Sequence, residues 1–240
     1  MPTFHLPLWL RLPRTCLLCS ATADHPNLAI CVACEADLPW LESRCSCCAL
    51  PLPSTGLHCG ECQRRQPAFN HVQAPWRYHF PIDALITRFK HQAQWPLGHL
   101  LTQLLAEHLR YSFGEGLSRP ELLLPVPLAK QRQRLRGFNQ AQMISQWLSR
   151  QLSIAYSPNA LVRSLNTPPQ QGLDAKQRRR NLRQAFSLPK PELIAGKHVA
   201  LVDDVLTTGA TADTLAQLLL RAGAKQVDVY CLARTPKPGS

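Results

Sequence analysis

Apolar residues recur along this 240-residue chain in two patterns, which predict two kinds of element. A helical period marks the segments 82–89, 96–109, 139–152 and 211–222. Short apolar runs typical of buried strands mark 72–80, 121–126, 198–202 and 227–232. Strands and helices alternate in the second half of the chain, which predicts an α/β fold with a mainly parallel sheet and flanking helices.

The first 70 residues have a different composition, because nine of the ten cysteines fall between Cys16 and Cys62. Eight of them form four C-x-x-C pairs, and two such pairs supply the four thiolates that a tetrahedral zinc site needs. We therefore predict a small zinc-binding module over residues 1–70, with two closed, structural zinc ions, before an α/β domain over 71–240. The predicted ligands are Cys16, Cys19, Cys31, Cys34, Cys45, Cys48, Cys59 and Cys62.

The spacing leaves several alternatives for this module. A disulfide framework is disfavoured, because the sequence shows no export signal and disulfides are rare in reducing compartments. The regular pairs favour zinc over an iron–sulfur cluster. Consecutive and interleaved pairing of the knuckles both remain open, and Cys47 is a possible substitute ligand. Cys231, inside an apolar run, is interpreted as a buried small hydrophobe.

The net charge of +12 is concentrated in the predicted α/β domain. Residues 130–183 contain eleven Lys and Arg against a single acid, Asp174, which suits phosphate-rich partners such as nucleotides or nucleic acid. A solvated helix face is the alternative interpretation. Residues 166–183 have few apolar positions and predict a long loop. No apolar run approaches the roughly 20 residues of a membrane span, so we expect a cytoplasmic protein.

The segment 199–211 carries the clearest chemistry: a buried strand, two carboxylates, and a loop rich in hydroxyls that opens a helix. Backbone N–H groups, unhindered at the glycine, and the helix amino terminus favour a phosphate. The adjacent carboxylates suit a ribose diol beside it. The sequence lacks the glycine-rich motifs of nucleoside triphosphate and dinucleotide sites. The residues concerned are Asp203, Asp204, Thr207, Thr208, Gly209, Ala210 and Thr211.

This segment resembles the motif by which type I phosphoribosyltransferases bind 5-phosphoribosyl-1-pyrophosphate (PRPP). The resemblance implies that Asp203 and Asp204 bind the ribose hydroxyls and that the loop Thr207–Thr211 wraps the 5′-phosphate. A second strand-to-helix turn, Leu124 to Gln140, has basic residues beside it. Together with Lys90 and the four knuckles, it resembles the ComF/GntX family of competence and DNA-utilisation proteins over nearly the whole chain.

The family resemblance implies further roles. Pro125, Val126, Pro127 and Leu128 would form the pyrophosphate loop, assisted by Lys90, and the segment from Gln170 to Arg183 would close over PRPP. Mg²⁺ would accompany PRPP, and Arg136 and Arg178 would stabilise the departing pyrophosphate. The expected partners are PRPP, single-stranded DNA and competence-machinery proteins at the inner face of the membrane.

Two functions remain open: a phosphoribosyltransferase whose acceptor the sequence does not identify, and a nucleic-acid-binding protein that keeps the fold as a scaffold or sensor without turnover. In the second case Phe138 or Trp147 would be available for base stacking, although both residues fit a core position as well.

Overall fold

The computed structural model describes residues 15–25, 27–54, 56–163 and 185–237. The chain divides into two compact units, the first ending at Leu38 and the second beginning at Pro39. The boundary predicted near residue 70 rests on composition and stays a prediction. Within the described ranges, none of the helices combines the length and hydropathy that crossing a bilayer requires.

The first unit is a loop-rich module whose turns are set by its cysteines. The N–H of Ser20 donates to the carbonyl of Cys16 at 2.9 Å, and Ser20 takes a left-handed φ of 65°. Cys31 then caps helix α1 (Val32–Ala36), its Sγ accepting from the N–H of Cys34 at 3.4 Å. Both C-x-x-C pairs of this unit therefore lie on tight turns.

The second unit is built on a six-stranded sheet in which every pairing is parallel. Its strands are β1 (Val72–Gln73), β2 (Trp76–Arg77), β3 (Leu122–Pro125), β4 (Ala155–Tyr156), β7 (His198–Leu206) and β8 (Gln226–Arg234). The order is β1, β8, β7, β3, β4, and β2 also pairs with β8. Strands β5 (Val162–Arg163) and β6 (Phe186–Ser187) form a separate antiparallel pair.

Helices of the second unit pack their apolar residues into its core. They are α2 (Gly60–Arg64), α3 (Ile82–Gln92), α4 (Trp95–Gly114), α5 (Lys130–Arg136), α6 (Gln140–Leu152) and α7 (Ala210–Arg221), with a 3₁₀ turn at Pro191–Leu193. Asn139 begins α6 by accepting the N–H of Ala141 at 3.0 Å, the usual role of an asparagine cap. On α7, Leu215 and Leu219 are fully buried. The predicted fold, a mainly parallel α/β sheet with flanking helices, is confirmed.

Three elements differ in extent from the sequence prediction. Strand β7 continues to Leu206 instead of ending at Val202, because residues 203, 205 and 206 pair with residues 231, 233 and 234 of β8. The predicted strand-to-helix turn from Leu124 to Gln140 contains a helix of its own, α5, over its basic segment 130–136. The predicted strand 72–80 is divided into β1 and β2, with Pro75, which has no N–H to donate, between them.

The second group of cysteines is part of the hydrophobic core of this unit. Cys45, Cys48, Cys59 and Cys62 are buried in one cluster with residues of the sheet and of α7. The turn geometry repeats that of the first unit, since the N–H of Ala49 donates to the carbonyl of Cys45 at 3.0 Å with a φ of 53° at Ala49. Cysteine knuckle and sheet therefore share one buried interior.

Candidate functional site

The eight paired cysteines form two groups of four, and within each group the Sγ atoms lie within 4.8 Å of one another. The groups are Cys16, Cys19, Cys31 and Cys34 in the first unit, and Cys45, Cys48, Cys59 and Cys62 in the second. Consecutive knuckles are therefore paired, which decides between the two patterns that the sequence left open. Cys47 lies outside both groups. All ten cysteines are free of disulfide bonds.

Each group fits a structural zinc ion. Four sulfur donors at this separation match the closed tetrahedral set that zinc prefers, with no position left for a substrate. Zinc binds the thiolate form of cysteine, so each group would release its thiol protons when it binds the ion. The donor chemistry of both groups therefore agrees with the prediction of two structural zinc ions.

Asp203 and Asp204 lie near the carboxyl end of the central strand β7. The Oδ1 of Asp203 accepts the N–H of Asp204 at 2.9 Å, and the Oδ1 of Asp204 accepts the N–H of Val205 at 2.7 Å. The Nζ of Lys90, on α3, is 3.1 Å from the Oδ2 of Asp204. One oxygen of each carboxylate is thereby fixed by the backbone, and an ion pair neutralises Asp204.

The two adjacent carboxylates repel each other when both are charged, and the pKa of Asp203 is shifted from its ordinary value. Burial, and then the negative charge of Asp204, raise the pKa of Asp203 to about 8, while Lys90 acts in the opposite direction. A carboxyl group that changes its charge near neutral pH at the end of a central strand is typical of a functional site.

The loop after β7 turns directly into α7. Gly209 has a φ of 75°, which a residue with a side chain rarely adopts, and its carbonyl accepts the N–H of Asp213 at 2.8 Å to begin the helix. Thr207 and Thr208 are exposed, and the Oγ1 of Thr208 accepts the N–H of Ala210 at 3.4 Å. Thr211 lies in the first turn of this twelve-residue helix. The predicted hydroxyl-rich loop therefore sits on a helix amino terminus.

The loop after β3 lies beside this site, because β3 is the neighbour of β7 in the sheet. The N–H of Val126 donates to the carbonyl of Val202 at 2.9 Å, and the Nδ2 of Asn139 donates to the carbonyl of Val126 at 3.1 Å. Pro125 ends β3, and Pro127 and Leu128 follow in the half-buried loop.

A cationic cavity of about 310 Å³ includes Lys90 but none of Pro125, Val126, Pro127 and Leu128 among its lining residues. Its walls are Lys90, His91, Ala93, Arg132, Leu135 and Arg136. The structure thus brings Lys90 and Arg136 together, and Lys90 also reaches Asp204. Arg178 and the predicted mobile loop Gln170–Arg183 lie outside the described residues.

Sequence reasoning missed Arg234, the last residue of β8. The predicted strand ended at 232, although a charged residue that closes an apolar run was a visible signal. Arg234 is 5% exposed, and its guanidinium bonds to the carbonyls of Cys48, Leu206, Thr207 and Thr235. It also lines a second cavity, of about 510 Å³, together with Arg64, Arg65, Phe69, Thr208 and Gly209.

Comparisons with known proteins agree with this architecture. A double zinc ribbon domain model matches residues 8–63, and a phosphoribosyl transferase domain model matches residues 143–239. The chain is 37% identical over 227 residues to DNA utilization protein YhgH of Escherichia coli O157:H7, covering 94% of this chain and 99% of the relative.

Two further relatives carry competence names. Competence protein F of Haemophilus influenzae is 36% identical over 221 residues, 91% of this chain and 96% of the relative. Competence protein ComFC of Bacillus subtilis is 26% identical over 244 residues, 92% of this chain and 95% of the relative. The chain carries the cysteine knuckles and the acid pair, and it matches these relatives along nearly its whole length. It therefore belongs to the ComF/GntX family of competence and DNA-utilisation proteins.

Proposed function

We propose that the second unit binds PRPP and transfers its phosphoribosyl group to an acceptor. One observation carries the proposal: at the carboxyl end of β7 the acid pair leads directly into the Thr207–Thr211 loop, and Lys90 connects Asp204 to the cationic cavity. The carboxyl ends of the strands are where open α/β sheets bind ligands. These three groups correspond to the three parts of PRPP. The loop would bind the 5′-phosphate, the acids would bind the ribose hydroxyls, and the cavity would bind the pyrophosphate.

The proposed reaction relies on position and charge. The acceptor's electron pair attacks the ribose C1′, the bond from C1′ to the pyrophosphate oxygen breaks, and pyrophosphate leaves with that bond's electrons. Lys90, Arg136 and Arg132 line the cavity where this negative charge develops, and their cations stabilise it. Mg²⁺ bound to PRPP would neutralise further phosphate charge. Asp203 and Asp204 hold the ribose and keep C1′ in place.

Calorimetric titration with PRPP and Mg²⁺ tests the binding step. Asp204→Asn should cost about 1.5–3 kcal/mol of binding free energy, because it removes a charged hydrogen-bond acceptor. Asp203→Asn should reach the same cost above about pH 8, where Asp203 is ionised. Asp83→Asn is the matched control, since Asp83 lies in the first turn of the helix that carries Lys90 and its Oδ1 accepts the N–H of Ala84 at 2.6 Å, a bond that the asparagine amide oxygen can also accept. Equal PRPP affinity in the wild type and the double variant would contradict the site.

Turnover is tested separately, by pyrophosphate release in the presence of PRPP and a panel of nucleobases and amines. PRPP binding without release for any acceptor would favour the non-catalytic function, in which the site is a sensor. An Asp203→Asn, Asp204→Asn variant should abolish any release that is observed.

A second candidate function, binding of single-stranded DNA, is supported by aromatic residues beside the cationic cavity. Trp95 is 53% exposed and lies edge-on to Phe138, with ring centroids 6.4 Å apart. Ala93, two residues before Trp95, lines the cavity, and Arg132 and Arg134 on α5 are exposed. An exposed indole next to cations is the combination by which proteins bind single strands without sequence preference. Trp147 contacts Phe89, at 6.1 Å between centroids, and so belongs to the packing behind this surface.

Fluorescence anisotropy with a labelled oligonucleotide tests this function. Trp95→Ala should weaken binding by about 1–3 kcal/mol, the contribution of one stacked base. Arg132→Ala with Arg134→Ala should reduce the slope of log affinity against log salt, by roughly 0.7 for each lost phosphate contact. Tyr111→Ala is the control, an aromatic residue that is 71% exposed on α4. A Trp95→Ala variant that binds as the wild type does would exclude this surface.

We also propose a role in DNA uptake or use, with competence-machinery partners at the inner face of the membrane and a cytoplasmic location. The names of two relatives, DNA utilization protein and competence protein, support the role in DNA use. Pull-down of crosslinked partners from competent cells, compared with the Trp95→Ala variant, tests it.

A further inference from the structure

Arg234 links the second cysteine group to the Thr207–Thr211 loop, which we propose binds the 5′-phosphate and which is called the phosphate loop below. Its Nε donates to the carbonyl of Cys48 at 2.9 Å. Its Nη1 donates to the carbonyls of Leu206 at 3.1 Å and Thr235 at 2.8 Å, and also to the carbonyl of Thr207. One buried, planar cation therefore joins a metal-binding knuckle to the two residues that lead into the loop.

The carbonyl bonds of Arg234 also determine where the loop's donors point. In a planar trans peptide the C=O and the next N–H point in opposite directions. When Arg234 holds the carbonyls of Leu206 and Thr207, it turns the N–H groups of Thr207 and Thr208 away from itself. Those N–H groups belong to the loop that we propose binds the 5′-phosphate.

The charge of Arg234 has no acidic partner in the part of the chain that the structure describes. A buried cation without a counter-charge is unfavourable. A zinc ion held by four thiolates carries a net negative charge, because the thiolates outweigh one divalent cation. Cys48 is one of those four ligands, so the metal site supplies both a carbonyl acceptor and a compensating charge.

We infer that Arg234 is a positioning residue, through which metal binding at Cys45, Cys48, Cys59 and Cys62 fixes the conformation of the phosphate loop. The inference rests on the proposed function only in taking PRPP as the ligand of that loop. When the metal is lost, the Cys48 carbonyl is no longer held and Arg234 loses an acceptor. The Leu206 carbonyl keeps the N–H of Thr235 at 3.0 Å, so the peptide between Thr207 and Thr208 is the one that is released.

The chain offers a matched control in Arg44. This residue also connects the second knuckle to the sheet, because it precedes Cys45 and its Nη1 donates to the carbonyl of Ala74 at 3.1 Å. Its Nη2 is 3.5 Å from the Oε1 of Gln73. None of these contacts reaches the phosphate loop. Arg44→Met therefore removes a comparable anchor without touching Leu206 or Thr207.

Backbone ¹⁵N relaxation of the zinc-loaded full chain tests the inference without any ligand. In wild type and Arg44→Met we expect rigid amides at Thr207 and Thr208, with order parameters of about 0.85. In Arg234→Met the order parameter of Thr208 should fall below about 0.6. The amide of Thr207, whose peptide keeps its bond to Thr235, and the amides of β7 and β8 should stay rigid. Arg234→Lys should give an intermediate value, because one ammonium group cannot reach all four carbonyls.

Metal removal by a chelator should reproduce the Arg234→Met result in wild type and add nothing to it in Arg234→Met. Unchanged order parameters in Arg234→Met would overturn the inference. So would a loss of order spread evenly over β7 and β8, since that is the result of a merely structural role.

PRPP provides a second measurement, because coupling between two sites is reciprocal. PRPP should raise the zinc affinity of the second group, measured by equilibrium competition with a chelator, in wild type and Arg44→Met, and have no such effect in Arg234→Met. If PRPP binds without raising the zinc affinity in wild type, the inference fails while the proposed function stands. If wild type does not bind PRPP, the proposed function fails, and the relaxation result still decides the role of Arg234.

Discussion

Lys90 and Asp204 form an ion pair across two elements, with 3.1 Å between the Nζ on α3 and the Oδ2 on β7. Both side chains are largely buried, at 17% and 13% exposure, so the pair is only weakly screened by solvent. Lys90 thus holds the acid pair together and also lines the cationic cavity. It can serve the carboxylates and a bound pyrophosphate from one position.

Lys90→Met should weaken PRPP binding and move its pH dependence upward. Wild-type affinity should rise as the pH passes through about 8, because Asp203 ionises there and becomes a stronger acceptor for the ribose hydroxyl. Lys90 lowers the pKa of Asp203, so its removal should shift that midpoint to higher pH. Loss of a charged contact should cost roughly tenfold in affinity.

Calorimetric titrations with PRPP from about pH 6.5 to about pH 9 measure both effects, around the Asp203 value. Arg88→Met removes an exposed cation from the same helix and should leave the midpoint in place. An unchanged midpoint in Lys90→Met would show that Lys90 does not act on the acid pair.

Asp203→Asn should stabilise the ligand-free protein while it weakens PRPP binding. The folded-state pKa of Asp203, about 8, lies above its ordinary value of 3.8. The contribution of Asp203 to folding stability is therefore fully present below a pH of 3.8, and it is lost as the pH rises through about 8. The neutral amide avoids that loss, so the variant's advantage in thermal unfolding should grow between about pH 5 and about pH 8. An equal melting temperature at all pH values would contradict the raised pKa.

The two cysteine groups should respond differently to loss of a ligand. Cys34→Ser and Cys62→Ser should each reduce the zinc content, measured by elemental analysis, from about two ions to about one. Cys62→Ser should also lower the melting temperature of the sheet, because its group is part of the same core as the strands. In small modules structural zinc contributes about 10–16 kcal/mol, but here the apolar side chains of the sheet and α7 hold most of the core, so we expect a lower melting temperature and a sheet that stays folded at room temperature.

Cys34 lies in the first unit, and Cys34→Ser should leave the unfolding transition of residues 39–240 in place. A purified protein without metal would contradict both expectations. Equal destabilisation by the two variants would contradict the difference between the groups.

Gly209→Ala should weaken PRPP binding through its backbone alone. A Cβ at Gly209 would meet nothing closer than the Cζ of Phe69 at 3.9 Å, so no clash arises, but a φ of 75° costs an L-residue about 1–2 kcal/mol. Gly196→Ala is the control, with a φ of 73° and open space around the new methyl group. Both should lower stability in urea similarly, and only Gly209→Ala should lower PRPP affinity. Equal PRPP affinity in both variants would exclude the loop from binding.

The sequence by itself determined the local chemistry of this protein. The C-x-x-C spacing specifies knuckles, because two residues between the cysteines leave few ways to turn both sulfurs towards one metal. The apolar run followed by Asp203, Asp204 and Thr207–Thr211 specifies a strand, an acid pair and a hydroxyl-rich loop that opens a helix, since these features depend on neighbours along the chain. The alternation of strands and helices likewise specified the parallel sheet.

Only the tertiary structure decided which distant groups meet. The pairing of consecutive knuckles, the contact of Lys90 with Asp204, and the bonds of Arg234 to Cys48 and Thr207 all join segments far apart in sequence. The residues Arg234 and Cys48 are 186 positions apart. Periodicity cannot encode such contacts, because they depend on how helices and loops pack around the sheet and on where a buried cation finds acceptors.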